Sequence, residues 1–321
     1  MFLIQYKKHI LVFIAVLFLL FFTLITFHAY AFTHPVSSNF VNIERDGMQM
    51  SLSNKVKIAF TGIYPIRHIT TQTTTDVGLE YENVSFSSKD GLRLYGWFMP
   101  ARHAIGTVII GHGYNANRGD IRFASFLHNA SYNVLMFDFR GHGMSDGDYI
   151  SMGWYEKNDI IGAVNYLKTR NDVDPDKIYG LGFSMGAAAM VFAQEEKSVF
   201  NALALESLYP SLYTSTHRRF QTIYGLPKFP FATAMTLVGG AVLDLNGFDV
   251  TPAKSLEKID IPVLLIHDSK DDTLKVEDAM LLNASVNNGS LWIVEGGKHS
   301  AGYGIAPEEY EKRVVGLFGE N

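Results

Sequence analysis

The stretch GLGFSMGAAAM, residues 180–190, places Ser184 between Gly182 and Gly186 directly after a short apolar run. A strand that turns sharply into a helix needs small residues on both sides of the turn, because a strained backbone there lifts the serine hydroxyl out of the sheet. The chain contains 28 glycines, so the same pattern also arises by chance. The surrounding sequence therefore decides whether Ser184 is a nucleophile or only a small turn residue.

Apolar segments alternate with amphipathic stretches on both sides of this motif. The segments are GTVIIGHG (106–113), YNVLMFDFR (132–140), KIYGLGFS (177–184), NALALES (201–207), PVLLIHD (262–268) and SLWIVEG (290–296). Solid apolar runs separated by helices are typical of parallel strands covered on both faces. Before them, residues 81–101 contain two alternating segments around a Lys-Asp-Gly turn, which predicts a β-hairpin. The fold class is therefore α/β, with a doubly wound, mostly parallel sheet.

One connection is much longer than the others and predicts an inserted helical cap at about residues 208–252. It separates NALALES from PVLLIHD and carries several aromatic side chains. These aromatics either form a small core of their own or receive an apolar group of a substrate. The candidates for substrate contact are Tyr209, Tyr213, Phe220 and Tyr224.

The N-terminus predicts a membrane-spanning helix. Lys7 and Lys8 precede an uncharged apolar run at residues 10–27, and no Lys or Arg follows until Arg45. This charge bias predicts a cytoplasmic tail and an extracytoplasmic domain on a single-pass protein of the cell membrane. The alternative is a secreted protein, because the small-x-small sequence that ends at Ala31 fits a signal-peptidase site.

Three regions follow from these patterns. Residues 1–32 form the anchor or an uncleaved signal, residues 33–77 a polar, threonine-rich stalk or loosely packed collar, and residues 78–321 the main domain. We assign no chemistry to the stalk.

The composition excludes several classes of protein. The chain is 47% hydrophobic and 18% charged, with a net charge of -5 and no cysteine. This argues against disorder and against nucleic acid as a partner, and it removes disulfides, thiolate metal sites and a cysteine nucleophile. The histidines lack the spacing of metal ligands, so we expect neither a metal nor another cofactor.

A serine nucleophile needs an imidazole, and the imidazole needs a carboxylate. The segment LLIHDSKDD after one apolar strand offers Asp268, Asp271 and Asp272, and VEGGKHSAG after the next offers His299. Serine, acid and histidine in this order, each after a strand, match the chain order of α/β-hydrolases.

An oxyanion hole needs backbone N–H groups aimed at the developing negative oxygen. The glycines of GHG, residues 111–113, allow close approach of a backbone to a substrate. We expect the N–H groups of Tyr114 and Met185 to be the donors.

The segments GHGYNANRGD, DFRGHGMSDGDY, GFSMGAA, LLIHDSKDD and EGGKHS together resemble the α/β-hydrolase superfamily, and within it the bacterial, membrane-anchored branch similar to serine aminopeptidases. The resemblance runs from about Glu80 to the C-terminus. It implies Ser184 as nucleophile, Asp271 as acid and His299 as base. The chain departs from the usual pattern at Asp268 and Lys275 and in having alanine after Gly186, which leaves Asp268 and Asp272 as alternative acids.

The predicted activity is that of a serine hydrolase that cleaves a small-molecule carboxylic ester through an acyl-enzyme. The alternatives are a serine peptidase, an acyltransferase, and an inactive hydrolase scaffold that serves as a surface binding module. Structural roles are expected for the other polar residues near these motifs: His112, Arg140, His142, Asp146 and Glu206.

Overall fold

The computed structural model of the protein describes residues 2–37, 51–71 and 78–320. The strands are β1 (Glu82–Ser87), β2 (Arg93–Met99), β3 (Gly106–Gly111), β4 (Tyr132–Phe137), β5 (Ile178–Phe183), β6 (Leu203–Glu206), β7 (Val263–Asp268) and β8 (Gly289–Val294). The helices are α1 (Phe2–Thr33), α2 (Leu52–Thr61), α3 (Ile121–Asn129), α4 (Glu156–Leu167), α5 (Met185–Lys197), α6 (Leu212–Tyr224), α7 (Thr233–Val242), α8 (Pro252–Leu256), α9 (Val276–Ala284), α10 (Gly302–Ile305) and α11 (Pro307–Gly319).

The strands form one sheet in the order β1-β2-β4-β3-β5-β6-β7-β8. Strand β2 runs antiparallel to both of its neighbours, and β3 to β8 are parallel to one another. Every residue of β3 to β7 is buried, because helices cover both faces. One core contains residues of α4 and α5, and the other contains residues of α3 and α11. The predicted doubly wound sheet and its leading hairpin are confirmed.

A helical insertion interrupts the sheet between β6 and β7. It consists of α6, a π-type turn (Lys228–Ala232), α7 and α8. The guanidinium of Arg218 on α6 pairs with the buried carboxylate of Asp278 on α9 at 3.2 Å. This ion pair ties the insertion to the main domain.

Helix α1 continues from its exposed apolar part into the folded body. Its side chains are exposed from Tyr6 to Leu20, whereas Ile25, Ala29 and Ala31 are buried. It packs against α7 of the insertion and against α2, where the His28 Nε2 lies 3.1 Å from the carbonyl oxygen of Ala59. The helix is long and apolar enough to span a membrane.

The stalk predicted for residues 33–77 falls partly outside the described residues, which omit 38–50 and 72–77. Its described part contains helix α2 and a parallel bridge between Val36 and Ile66. In addition, the carbonyl of Thr33 accepts a hydrogen bond from the N–H of Ile150. This part of the segment is therefore packed onto the main domain at several points.

Candidate active site

Ser184 lies in the sharp turn between β5 and α5. Its φ of 49° and ψ of -106° place a non-glycine residue in a strained region of backbone space. The N–H of Ser184 donates to the carbonyl of Glu206 at the end of the neighbouring strand, at 2.9 Å. That bond fixes the turn to the sheet, and the serine side chain stays half-buried at the edge where the parallel strands end.

The two glycines beside this turn are required by close packing. A Cβ on Gly182 would lie 2.7 Å from the Cα of Ala187, and one on Gly186 would lie 2.3 Å from the carbonyl oxygen of Gly111. Neither distance is compatible with a side chain. The helix after the serine therefore packs directly onto β3 and β5, as the motif predicts.

Asp271 and His299 are joined by a hydrogen bond. The His299 Nδ1 lies 2.6 Å from the Asp271 Oδ2, and the side chain of Asp271 is fully buried. The other carboxylate oxygen accepts hydrogen bonds from the N–H groups of Thr273 and Leu274. Asp271 is thus held by the backbone and orients the imidazole of His299. This leaves the Nε2 of His299 available to another group.

The other two candidate acids have different environments. Asp272 is exposed. Asp268 is buried, and its Oδ2 accepts from the N–H of Ala301, in the loop that follows His299. Of the three aspartates, Asp271 is the one whose carboxylate contacts the imidazole.

Glu206 and Asp268 form a buried acidic pair behind the His299 loop. The Oε1 of Glu206 accepts from the N–H of Gly302 at 2.9 Å, and its Oε2 accepts from the hydroxyl of Tyr310 at 2.7 Å. Burial, reinforced by the nearby charge of Asp268, raises the pKa of Glu206 to about 7. Burial, together with the charge of Asp271, raises the pKa of Asp268 to about 6. The pair anchors the loop and makes no hydrogen bond to the imidazole, as expected for Glu206.

The raised pKa of Glu206 predicts that the contribution of this residue to the free energy of unfolding falls as the pH rises. Because the pKa of Glu206 is higher in the folded protein than in the unfolded chain, the folded state holds an extra proton between about pH 4 and pH 7. Its contribution is fully present below that window and is lost as the pH rises through it. Glu206→Gln removes this titration, so we expect the free energy of unfolding of the variant, relative to wild type, to rise by about 2 kcal/mol from pH 5 to pH 8. Urea unfolding in detergent at both pH values measures it.

The matched control is Glu295→Gln, at an exposed carboxylate. It should leave the pH dependence of unfolding unchanged. Equal pH profiles for Glu206→Gln and wild type would contradict the raised pKa.

Two buried histidines hold the loop after β3. Burial lowers the pKa of His112 to about 4 and that of His142 to about 3, so both are neutral at pH 7. The Nε2 of His112 accepts from the N–H of Phe139, and the Nε2 of His142 accepts from the N–H of Asn115. These bonds give both histidines the structural role that the sequence favours.

Arg140 and Asp146 also fix loops. Arg140 is fully buried and pairs with Asp159 and Asp90, at 2.6 Å and 2.7 Å. The Asp146 carboxylate accepts from the N–H of Arg93 at 3.1 Å. Neither contact involves the serine.

The two expected oxyanion donors follow two neighbouring parallel strands, Tyr114 after β3 and Met185 after β5. Met185 is the first residue of α5, where N–H groups have no acceptor within the helix. Tyr114 follows Gly113, and its side chain faces α1: its hydroxyl donates to the carbonyl of Phe32 at 2.7 Å, and the two rings stack at 4.7 Å. The position of Tyr114 therefore depends on the N-terminal helix.

One cavity of about 860 Å³ contains both Ser184 and His299 on its wall. Gly113 and Tyr114 also line it, together with Tyr209 from the start of the insertion. The other cap candidates are not on this wall. Tyr213 bonds Thr233 through its hydroxyl, Tyr224 and Phe220 contact each other, and Phe220 lines a smaller pocket against α1.

One wall of this cavity comes from segments in which the sequence motifs predict no functional residue. Side chains of α1, α2 and the residues after α2 line it: Phe27, Ile58, Phe60, Thr61, Ile63, Tyr64 and Ile66. The spacing of Leu52, Val56 and Phe60 on one side of α2 is a signal that could have pointed to an amphipathic helix there.

Among the residues that the structure describes, no group of three or more His, Cys, Asp or Glu side chains is arranged to hold a metal ion. A hydroxyl and an imidazole on one cavity wall, with a buried carboxylate against the imidazole, are the groups that nucleophilic acyl transfer uses.

Comparison with known proteins agrees with this chemistry. Residues 102–219 match the family described as serine aminopeptidase, S33. The uncharacterized protein YfhR of Escherichia coli O157:H7 is 32% identical over 204 residues, covering 60% of this chain and 64% of YfhR. The match therefore spans slightly less than two thirds of that relative. YfhR of Salmonella typhi is 30% identical over 225 residues, covering 64% of this chain and 69% of that protein.

Solved structures share the fold. An esterase of Pyrococcus furiosus has a TM-score of 0.69 and 27% identity, covering 80% of this chain and 97% of the esterase. An acylaminoacyl peptidase of Pyrococcus horikoshii has a TM-score of 0.58 and 17% identity, covering 75% of this chain and 41% of the peptidase, and shows the fold alone.

The sheet, the turn at Ser184 and these matches define the class: the chain belongs to the α/β-hydrolase superfamily. Within that class it is similar to the serine aminopeptidase family and to YfhR, and the comparisons support a serine hydrolase.

Proposed function

We propose that the protein is a membrane-anchored serine hydrolase that cleaves carboxylic esters, with Ser184, His299 and Asp271 as its triad. The observation that carries the proposal is the hydrogen bond from His299 to the buried Asp271, on a cavity that also holds the strained Ser184. The likeness to an esterase of Pyrococcus furiosus supports an ester substrate.

The mechanism follows from the roles of these groups. His299 takes the proton of the Ser184 hydroxyl, and the serine oxygen bonds to the ester carbonyl carbon. The N–H groups of Tyr114 and Met185 stabilise the negative oxygen that develops. His299 then gives its proton to the departing alcohol as the C–O ester bond breaks. In the second half, His299 takes a proton from water, the water oxygen bonds to the acyl carbon, and the bond to Ser184 breaks as His299 returns the proton to the serine oxygen, which releases the acid. Asp271 holds the imidazole and stabilises its charged form throughout.

We further propose that α1 is retained as a single-pass anchor with the domain outside the cytoplasm. Ala29 and Ala31 are buried, and the segment before Ala31 packs against α7 and, through His28, against α2. Cleavage after Ala31 would remove a helix that packs against both α2 and α7, so these contacts support retention.

The nearest rival is a serine peptidase, because the triad is the same and the matched family carries that name. An acyltransferase differs only in the group that accepts the acyl chain. An inactive scaffold would need neither the strained Ser184 nor the Asp271–His299 bond, so the presence of both argues against it.

The test uses the full-length protein in detergent, with p-nitrophenyl butyrate and a fluorophosphonate label. Hydrolysis of the ester, together with labelling of Ser184, is the expected result. Labelling without ester turnover would favour the peptidase or the transferase. Folded protein that neither hydrolyses the ester nor takes the label would overturn the proposal in favour of the scaffold.

A further inference from the structure

The cavity beside Ser184 is closed partly by the helix that enters the membrane. Phe27 of α1 lines the cavity, as do Ile58, Phe60 and Thr61 of α2. A wall of this kind is unnecessary for a small polar substrate that arrives from water. It places apolar side chains of the anchor beside the catalytic groups.

Helix α2 carries an exposed apolar face. Leu52, Val56 and Phe60 follow one another at intervals of four residues, so they lie on one side of the helix. Their exposed fractions are 78%, 50% and 81%. Lys55 and Lys57 are the charged residues of the same helix. An apolar side with lysines elsewhere is typical of a helix that lies in the membrane interface.

The position that α1 would take in a bilayer places the cavity at the depth of the outer leaflet. The apolar run at residues 10–27 is about 27 Å long, close to the roughly 30 Å of a hydrocarbon core. From Phe21 onward this run packs against protein, since the ring of Phe21 lies 5.8 Å from that of Phe231 in the insertion. If the run spans the core, its last third and the partners of that third lie at the depth of the outer leaflet. Phe27, which lines the cavity, belongs to that third.

We propose that the space between α1, α2 and Ser184 is a binding site for a long acyl chain, and that the substrates are single-chain lipid esters drawn from the outer leaflet. This inference rests on the proposed esterase function. The carbonyl of the ester lies at Ser184, and the acyl chain extends along Thr61 and Phe27. A cavity of about 860 Å³ falls within the range of roughly 300–1,000 Å³ that encloses whole small ligands.

The chain length of the substrate tests this site. Each methylene that enters an apolar site from water should raise kcat/KM by about fourfold, until the chain fills the site. We therefore expect the full-length protein in phosphatidylcholine vesicles to prefer p-nitrophenyl laurate over p-nitrophenyl butyrate, and to hydrolyse monooleoylglycerol.

Thr61→Trp is the variant that probes the site. A large ring on the cavity wall should shorten the chain that fits, so the ratio of kcat/KM for laurate to that for butyrate should fall by about tenfold or more. The matched control is Asn54→Trp, at an exposed position of the same helix that is not on the cavity wall. It should leave the ratio within about twofold of wild type.

The outcomes separate this inference from the function on which it rests. Butyrate hydrolysis with no preference for laurate, or an equal ratio in wild type and Thr61→Trp, would overturn the acyl-chain site and leave the esterase intact. If the wild-type protein hydrolyses neither ester, the proposed esterase function is wrong, and the proposed acyl-chain site is wrong with it.

A second measurement tests the contact with the bilayer. The chain has no cysteine, so Leu52→Cys can carry a single polarity-sensitive fluorophore. We expect the fluorophore to emit at shorter wavelength when the protein is in lipid vesicles than when an amphipathic polymer keeps it in solution without lipid or detergent. The control is Ile105→Cys, an exposed apolar position just before β3, at the end of the parallel strands opposite to the end where Ser184 lies. Equal emission from both positions in vesicles would show that α2 stays in water and would overturn the entry route.

Discussion

Ser184→Ala is expected to lower kcat/KM for p-nitrophenyl butyrate by about 10⁴-fold to 10⁶-fold. Alanine has no oxygen to form the acyl-enzyme, whereas the rest of the cavity is unchanged. Residual rate would come from the oxyanion donors and from binding alone. Steady-state kinetics of the full-length protein in detergent measure the effect, and the fluorophosphonate label should be lost in parallel.

The control for this variant is Ser215→Ala, which removes a second hydroxyl from the wall of the same cavity. We expect it to change kcat/KM by less than about tenfold, because Ser215 lies on α6 and not in the turn after β5. Alanine keeps the Cβ of residue 184, so the backbone strain and the unfolding temperature of Ser184→Ala should stay close to wild type. Full activity in folded Ser184→Ala would contradict the proposed nucleophile.

Asp271→Asn is expected to lower kcat by about 10⁴-fold. The amide keeps the size of the side chain. The N–H groups of Thr273 and Leu274 hold the amide oxygen at the position of Oδ1, so the amide nitrogen takes the place of Oδ2 and cannot accept the Nδ1–H of His299. The imidazole would then adopt the wrong tautomer, with a proton on the nitrogen that should accept the proton of Ser184. The pre-steady-state rate of acylation with p-nitrophenyl butyrate measures this step directly.

The neighbouring Asp272 provides the matched comparison. It is exposed, whereas the carboxylate of Asp271 is buried against the imidazole at 2.6 Å. Asp272→Asn should therefore cost less than about tenfold in kcat. A larger loss in Asp272→Asn than in Asp271→Asn would assign the acid to residue 272.

Local pattern was sufficient for the sheet. The six apolar segments each became a strand, because a buried parallel strand needs a continuous apolar run and short loops that connect it to helices. The turn at Ser184 was predictable for a similar reason, since the close packing at Gly182 and Gly186 leaves no space for a side chain.

The acid was harder to predict. Asp268, Asp271 and Asp272 lie within five residues of one another, and periodicity after a strand end does not say which carboxylate turns toward a histidine 28 residues away. The resemblance to α/β-hydrolases favoured Asp271, and the structure places Asp271 against His299. Its catalytic role stays a prediction until the variants are measured.

The sequence by itself determined the strands and their helices, the order of serine, acid and histidine, and the apolar N-terminal helix, because each depends on residues that are neighbours in the chain. Only the tertiary structure decided that Phe27 of that helix and Thr61 of α2 share a cavity with Ser184. Those residues are more than 100 positions from the serine, and no local period records a contact over that separation. Their meeting depends on how α1 packs against α2 and α7, and that packing forms one wall of the cavity.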